Sequence, residues 1–78
     1  VSTFAIGYVP GLEEVITERF RDYVGWRVSI TGAASNTIWE LELISPDNRK
    51  VTKALYGEDG DHEVPKVLKV IEDLLANS

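Results

Sequence analysis

Apolar residues in the first third of the chain recur at the spacing of one helix face. Leu12, Val15, Ile16, Phe20, Tyr23 and Val24 fall at i, i+3, i+4, i+8, i+11 and i+12, which follows the period of an amphipathic helix. Glu13, Glu14, Thr17, Glu18, Arg21 and Asp22 cover the opposite side. Pro10-Gly11 opens this helix, and Glu13 and Glu14 stand in its first turn, where carboxylates favour the positive end of the dipole. Gly25 is placed to end it in a left-handed conformation. A second helical pattern covers residues 64–76. Val64, Val67, Leu68, Ile71, Leu74 and Leu75 share one face, and Pro65 suits a first turn, where its missing N–H costs no intrahelical bond.

Between the helices the period changes to two. In residues 26–31, Trp26, Val28 and Ile30 share a face; in residues 37–45, Trp39, Leu41 and Leu43 do. Strands alternate in this way. "GAASNT" is the loop between these two strands. "SPDN", residues 45–48, is a turn in which Pro46 presets the first central position and Asn48 tolerates a left-handed conformation. A type I turn with a bulge at Asn48 pairs Ser45 with Arg49, Leu43 with Val51 and Trp39 with Leu55. It also places Lys53 opposite Leu41. A one-residue slip would move Thr52 and Ala54 onto the Trp39 face. Residues 49–57 form the third strand of the run, and its last side chain, Tyr56, falls opposite the apolar face. The first nine residues alternate weakly, with Phe4, Ile6 and Tyr8 on one side, and read as a short strand or an extended arm.

The expected fold is α+β: a two-layer sandwich in which an antiparallel sheet carries two helices on one face, in the order (β)αβββα. The sheet has three strands, or four if the N-terminal segment joins it. At 78 residues the chain is expected to form one domain, with a modest core. A hydrophobic content of 44% argues against disorder. There is no cysteine, so neither disulfides nor a cysteine zinc site enter the argument. No apolar run has the length of a spanning helix. The N-terminal "VSTFAIGYVPG" lacks the basic start of a secretory signal. The expected location is the cytoplasm, with an initiator Met trimmed before Val1.

Charge narrows the picture further. The formal net charge is −5, from 13 acids and 8 bases. Without Glu58, Asp59, Asp61 and Glu63 the balance is 9 acids against 8 bases. The acidity therefore sits in one stretch, "GEDGDHEV", residues 57–64, which also holds the only histidine, His62. Duplex-binding proteins usually present a basic face instead.

That stretch is the first candidate for chemistry. An EF-hand loop started at Asp59 has acids at positions 1, 3 and 5, but Val64 stands where Gly is required and Val70 where Glu is required. His62 has no second His or Cys with which to hold zinc. As a general acid or base it would need a positioned nucleophile or a second acid–base group. Ser29, Ser35 and Ser45 lie in no G-x-S-x-G context. His62 is therefore expected to be exposed beside a helix start. Asp61 is the candidate N-cap, with Gly57 and Gly60 supplying turn geometry. Capping employs one or two acids and leaves others for a basic protein partner. Glu40 and Glu42 point the same way from one strand, and read as a solvated face with basic cross-strand partners. "GEDG" lacks the Lys-Ser/Thr of a phosphate-binding loop.

The α-β-β-β-α order resembles that of double-stranded-RNA-binding domains, in element order and not in sequence. Domains of that family read duplex shape and phosphates. The place of their lysine cluster, at the start of the last helix, holds Glu58, Asp59, Asp61, His62 and Glu63 here. Carboxylates there would repel phosphate, so the resemblance implies a fold and not an RNA activity.

The leading expectation is a non-enzymatic protein that works by binding another protein, as a regulator, inhibitor or adaptor. The most specific form of this expectation is that the acidic stretch imitates nucleic-acid phosphate. The expected contact residues are Tyr56, Glu58, Asp59, Asp61, His62 and Glu63, with no catalytic residue, metal or cofactor. The alternatives are a nucleic-acid-binding module using Arg27, Arg49, Lys50 and Lys53, and a weak divalent-metal-binding protein. An unpaired edge strand would permit a dimer, and the sequence leaves the oligomeric state open.

Overall fold

The computed structural model describes residues 1–5, 11–32 and 37–77. Ile6, Tyr8 and Pro10 of the expected N-terminal elements, and residues 33–36 of the expected loop, lie outside them. The elements are β1 (Ser2–Ala5), α1 (Leu12–Arg19), β2 (Arg27–Gly32), β3 (Ile38–Ile44), β4 (Lys50–Tyr56), a short 3-10 turn (Gly57–Asp59) and α2 (Val64–Ala76). The fold is α+β in the order β-α-β-β-β-α, with a four-stranded sheet ordered β1-β2-β3-β4.

The sheet is mixed and not antiparallel throughout. β2, β3 and β4 are antiparallel neighbours, but β1 runs parallel to β2, with Ser2 opposite Arg27 and Ala5 opposite Ile30. The reason lies in the connection. A strand followed by a helix packed on the same sheet returns the chain to its starting end, so the next strand runs parallel to the first.

One apolar cluster lies between the sheet and the helices. Leu12, Ile16 and Phe20 from the α1 side meet Val28 and Ile30 of β2, Trp39, Leu41 and Leu43 of β3, Leu55 of β4, and Val67 and Ile71 of α2. Arg19 reaches Glu72 at 3.0 Å, tying the end of α1 to α2 at the surface. Among the described residues no helix covers the opposite face of the sheet. Residues 64–76 form a helix with the expected face inward: Val67 and Ile71 are buried, and Val64, Leu68, Leu74 and Leu75 are half-buried against the core.

The first helix stops earlier than its apolar stripe suggests. It ends at Arg19, and Val15, Tyr23 and Val24 are exposed, Val24 by 81%. The pairing of Arg27 with Ser2 sets where the chain must rejoin the sheet. A helix running to Val24 would leave two residues to turn and re-enter. Ending at Arg19 leaves residues 20–26, which descend in tight turns: the Tyr23 N–H donates to the Phe20 carbonyl and the Trp26 N–H to the Tyr23 carbonyl. Phe20, Tyr23 and Trp26 meet edge to face along this descent, with ring centroids 6.0 and 6.5 Å apart. Gly25 is left-handed (φ 87°) as expected, yet it does not end the helix. It lets the backbone approach Pro46, whose Cγ would lie 3.1 Å from any Cβ added there.

The turn after β3 forms with its bulge at Asn48, which has φ 69°. The Asn48 N–H donates to the Ser45 carbonyl and the Ser45 N–H to the Arg49 carbonyl, both at 2.9 Å. Buried Ser45 completes the turn with its hydroxyl, which donates to Asp47 Oδ1 and accepts the Arg49 N–H. Arg27 Nη2 donates to Asn48 Oδ1 at 3.0 Å. The resulting register has Leu43 opposite Val51, Trp39 opposite Leu55 and Leu41 opposite Lys53, the pairing preferred from the apolar pattern.

Candidate functional site

The acidic stretch closes one end of the core. Gly57 follows β4 directly, and its N–H donates to the Thr37 carbonyl at 2.8 Å. A Cβ at Gly57 would stand 3.1 Å from the Trp39 ring and 3.2 Å from the Thr37 oxygen, so a side chain here would press on both and glycine eases the close approach. His62 then lies over the same indole, ring centroids 5.2 Å apart and tilted by 35°. This overturns the expectation of an exposed histidine. His62 is half-buried because the segment folds back over Trp39, a neighbour from the far side of the hairpin.

Asp61 also has a different task from the one expected. The residue preceding α2 is Glu63, and its side chain makes no capping hydrogen bond. Asp61 instead occupies the outer edge of β4. Its Oδ2 accepts the Tyr56 N–H at 3.0 Å, and its own N–H donates to the Tyr56 carbonyl at 3.1 Å. It thus satisfies both edge-facing groups of Tyr56, as a neighbouring strand would. Lys66 leans back from α2, donating to the Asp59 carbonyl at 2.7 Å and standing 3.8 Å from Asp61 Oδ1.

The remaining acids, Glu58, Asp59 and Glu63, are exposed. Among the described residues no hydrogen bond or ion pair engages their carboxylates. They follow Tyr56 in the chain, and Tyr56 lies on the face of the sheet opposite the core. There Tyr56 and Ile38 are direct cross-strand neighbours, 47% and 46% exposed, with exposed Glu40 and Ala54 in the next row. Phe4, 55% exposed, lies two strands away on the same face. The sequence reading found Tyr56 and overlooked Ile38. The available signal was an isoleucine beside Glu40 and Glu42 on the side of the strand away from the core.

The expected residues therefore divide. Tyr56, Glu58, Asp59 and Glu63 are available at the surface, whereas Asp61 and His62 are engaged in holding the segment to β4 and Trp39. The basic residues are dispersed. Arg27 and Lys50 lie on the open face, Lys50 3.7 Å from Glu42; Arg49 pairs with Asp47 at 2.9 Å; Lys53 lies on the helix side of β4. No group of three or more His, Asp or Glu that could hold a metal ion occurs among the described residues, and no helix there is long and apolar enough to cross a membrane.

Comparison with protein-family models, with curated proteins and with solved structures gives no match for this chain.

Proposed function

We propose that this protein acts without catalysis, by binding another protein at the Tyr56–Ile38 corner of the open sheet face. The observation that supports this reading is the exposed cross-strand pair Tyr56–Ile38, and the exposed Glu58 and Asp59 follow Tyr56 closely in the chain. Amphipathic aromatics beside an aliphatic side chain are typical anchors of protein contacts. Exposed acids so close in the chain to this pair favour a partner carrying Lys and Arg and steer its approach. In this reading the protein is a regulator, inhibitor or adaptor of a basic protein in the cytoplasm. Imitation of nucleic-acid phosphate by Glu58 and Asp59 is its most specific form.

The test is capture of partners from the native host with four baits: wild type, Tyr56→Ala, Ile38→Ser, and the pair Glu58→Gln with Asp59→Asn. A partner held through this corner is lost on the first two variants. It weakens with the third, and between about 50 and 500 mM salt, where screening becomes short-ranged. Partners retained equally by all four baits at both salts would refute the proposal.

A further inference from the structure

The edge of β4 is available for pairing along part of its length. Two bonds anchor the β3–β4 ladder: Ser45 N–H to the Arg49 carbonyl at one end, Gly57 N–H to the Thr37 carbonyl at the other. Residues in an antiparallel pair alternate between bonding their partner and facing away. Arg49, Val51, Lys53, Leu55 and Gly57 therefore bond toward β3, and Lys50, Thr52, Ala54 and Tyr56 present their N–H and C=O groups outward. Asp61 takes both groups of Tyr56. Among the described residues nothing takes those of Lys50, Thr52 and Ala54.

We propose that β4 pairs with β4 of a second copy of this chain, antiparallel and centred on Thr52, to form a two-fold dimer with a continuous sheet. Three observations point to a second copy. The first is register. Thr52 opposite Thr52, with Lys50 opposite Ala54 twice, engages all three free residues of both strands in roughly six backbone bonds. The Asp61 clamp at Tyr56 blocks the registers that would slide further. The second is charge. Arg49 and Lys50 stand at one end of β4, and Glu58, Asp59 and Asp61 follow the other. Antiparallel pairing brings the basic end of each strand beside the acidic segment of its partner. The third is side-chain fit. In this register each lysine faces an uncharged residue, Lys50 facing Ala54 and Lys53 facing Val51. Val51 and Lys53 are exposed on the helix side, so the Lys53 stem can cover the Val51 of the partner. Lysines on an edge strand discourage indiscriminate pairing; here they leave one register favoured. The contact is isologous and closes on itself. It sets both helical layers on one side of the sheet and both Tyr56–Ile38 corners on the other.

The chain has no cysteine, so single engineered thiols report the register directly. In the dimer the two Thr52 Cα atoms stand about 5.5 Å apart, within reach of a disulfide. The two Ala54 Cα atoms are about 13 Å or more apart, at ~3.4 Å per residue of stagger. Thr52→Cys is expected to form a disulfide dimer under mild oxidation at least tenfold faster than Ala54→Cys. Equal rates, or no cross-link with either at millimolar protein, would overturn the proposal. Sedimentation equilibrium of the wild-type protein should show the mass rising with concentration to twice that of the monomer. Thr52→Pro removes an N–H that faces away from β3, so it keeps the fold and should abolish the rise. The pair Arg49→Glu and Lys50→Glu should weaken association at least tenfold at low salt. Association unchanged in both variants would refute it. Each measurement uses the purified chain alone, so failure here leaves the Tyr56–Ile38 reading to its own test.

Discussion

Replacing Asp61 by Ala separates two roles for this residue. As a helix cap it would protect the start of α2; as an edge clamp it protects the end of β4. Oδ2 accepts the Tyr56 N–H at 3.0 Å, and the side chain is 25% exposed. A hydrogen bond to a charged acceptor contributes about 1.5–3 kcal/mol when shielded, and partial rehydration of the freed N–H brings this to the lower end. The neighbouring Lys66, at 3.8 Å and half-exposed, adds no more than a few tenths of a kcal/mol, about the level of a surface ion pair. The expected loss is therefore about 1.5 kcal/mol, or a fall in Tm of roughly 6–12 °C for a chain this size. Urea unfolding followed by tryptophan fluorescence measures the total, and amide hydrogen exchange locates it. The Tyr56 amide should lose about tenfold in protection, while those of Val64 and Lys66 change only with global stability. Asp61→Asn retains an acceptor oxygen without the charge and should recover about half of the loss. Unaltered exchange at Tyr56 together with faster exchange at the start of α2 would show that Asp61 is a helix cap and that the clamp reasoning is wrong.

Gly25→Ala should cost about 2 kcal/mol, combining a left-handed backbone with contact on Pro46; Gly11→Ala, also left-handed but with open space around it, should cost about 1. Equal costs in thermal unfolding would deny the Pro46 contact a part. Ile71→Ala, fully buried, should lose about 2–5 kcal/mol, whereas Val24→Ser should stay within about 0.5. A large loss at Val24 in the same urea assay would mean that the first helix extends beyond Arg19. The Asp47 carboxyl is held below the usual carboxylate range, chiefly by the hydrogen bond from the Ser45 hydroxyl and then by Arg49. Because its folded pKa is the lower one, its stabilisation is complete above the unfolded value near ~3.9 and is lost as pH falls through the folded value. Wild type should therefore exceed Asp47→Asn in urea midpoint at pH 7, and the difference should shrink below about pH 4. A constant difference down to pH 2 would contradict the assignment.

Much of the fold was legible because it is written in local periodicity. The spacing of Val64, Val67, Leu68 and Ile71 marked α2, and the alternation of Val28 with Ile30 and of Trp39 with Leu41 and Leu43 marked the core face of the sheet. The Ser45–Arg49 turn was legible too, since Pro46 and Asn48 carry their backbone preferences wherever they stand. The same locality misled at Tyr23 and Val24, which keep the helical period although the chain must leave the helix to pair Arg27 with Ser2.

The sequence by itself determined which residues are apolar, with what period, and that the negative charge gathers in one stretch. Only the tertiary structure decided what that stretch does. Gly57 and His62 close on Trp39, and Asp61 occupies the edge of β4, leaving Glu58, Asp59 and Glu63 exposed. Those assignments depend on pairings between β3, β4 and the segment that follows. A carboxylate's role is set by the donor it meets across space, and spacing along the chain does not encode that meeting.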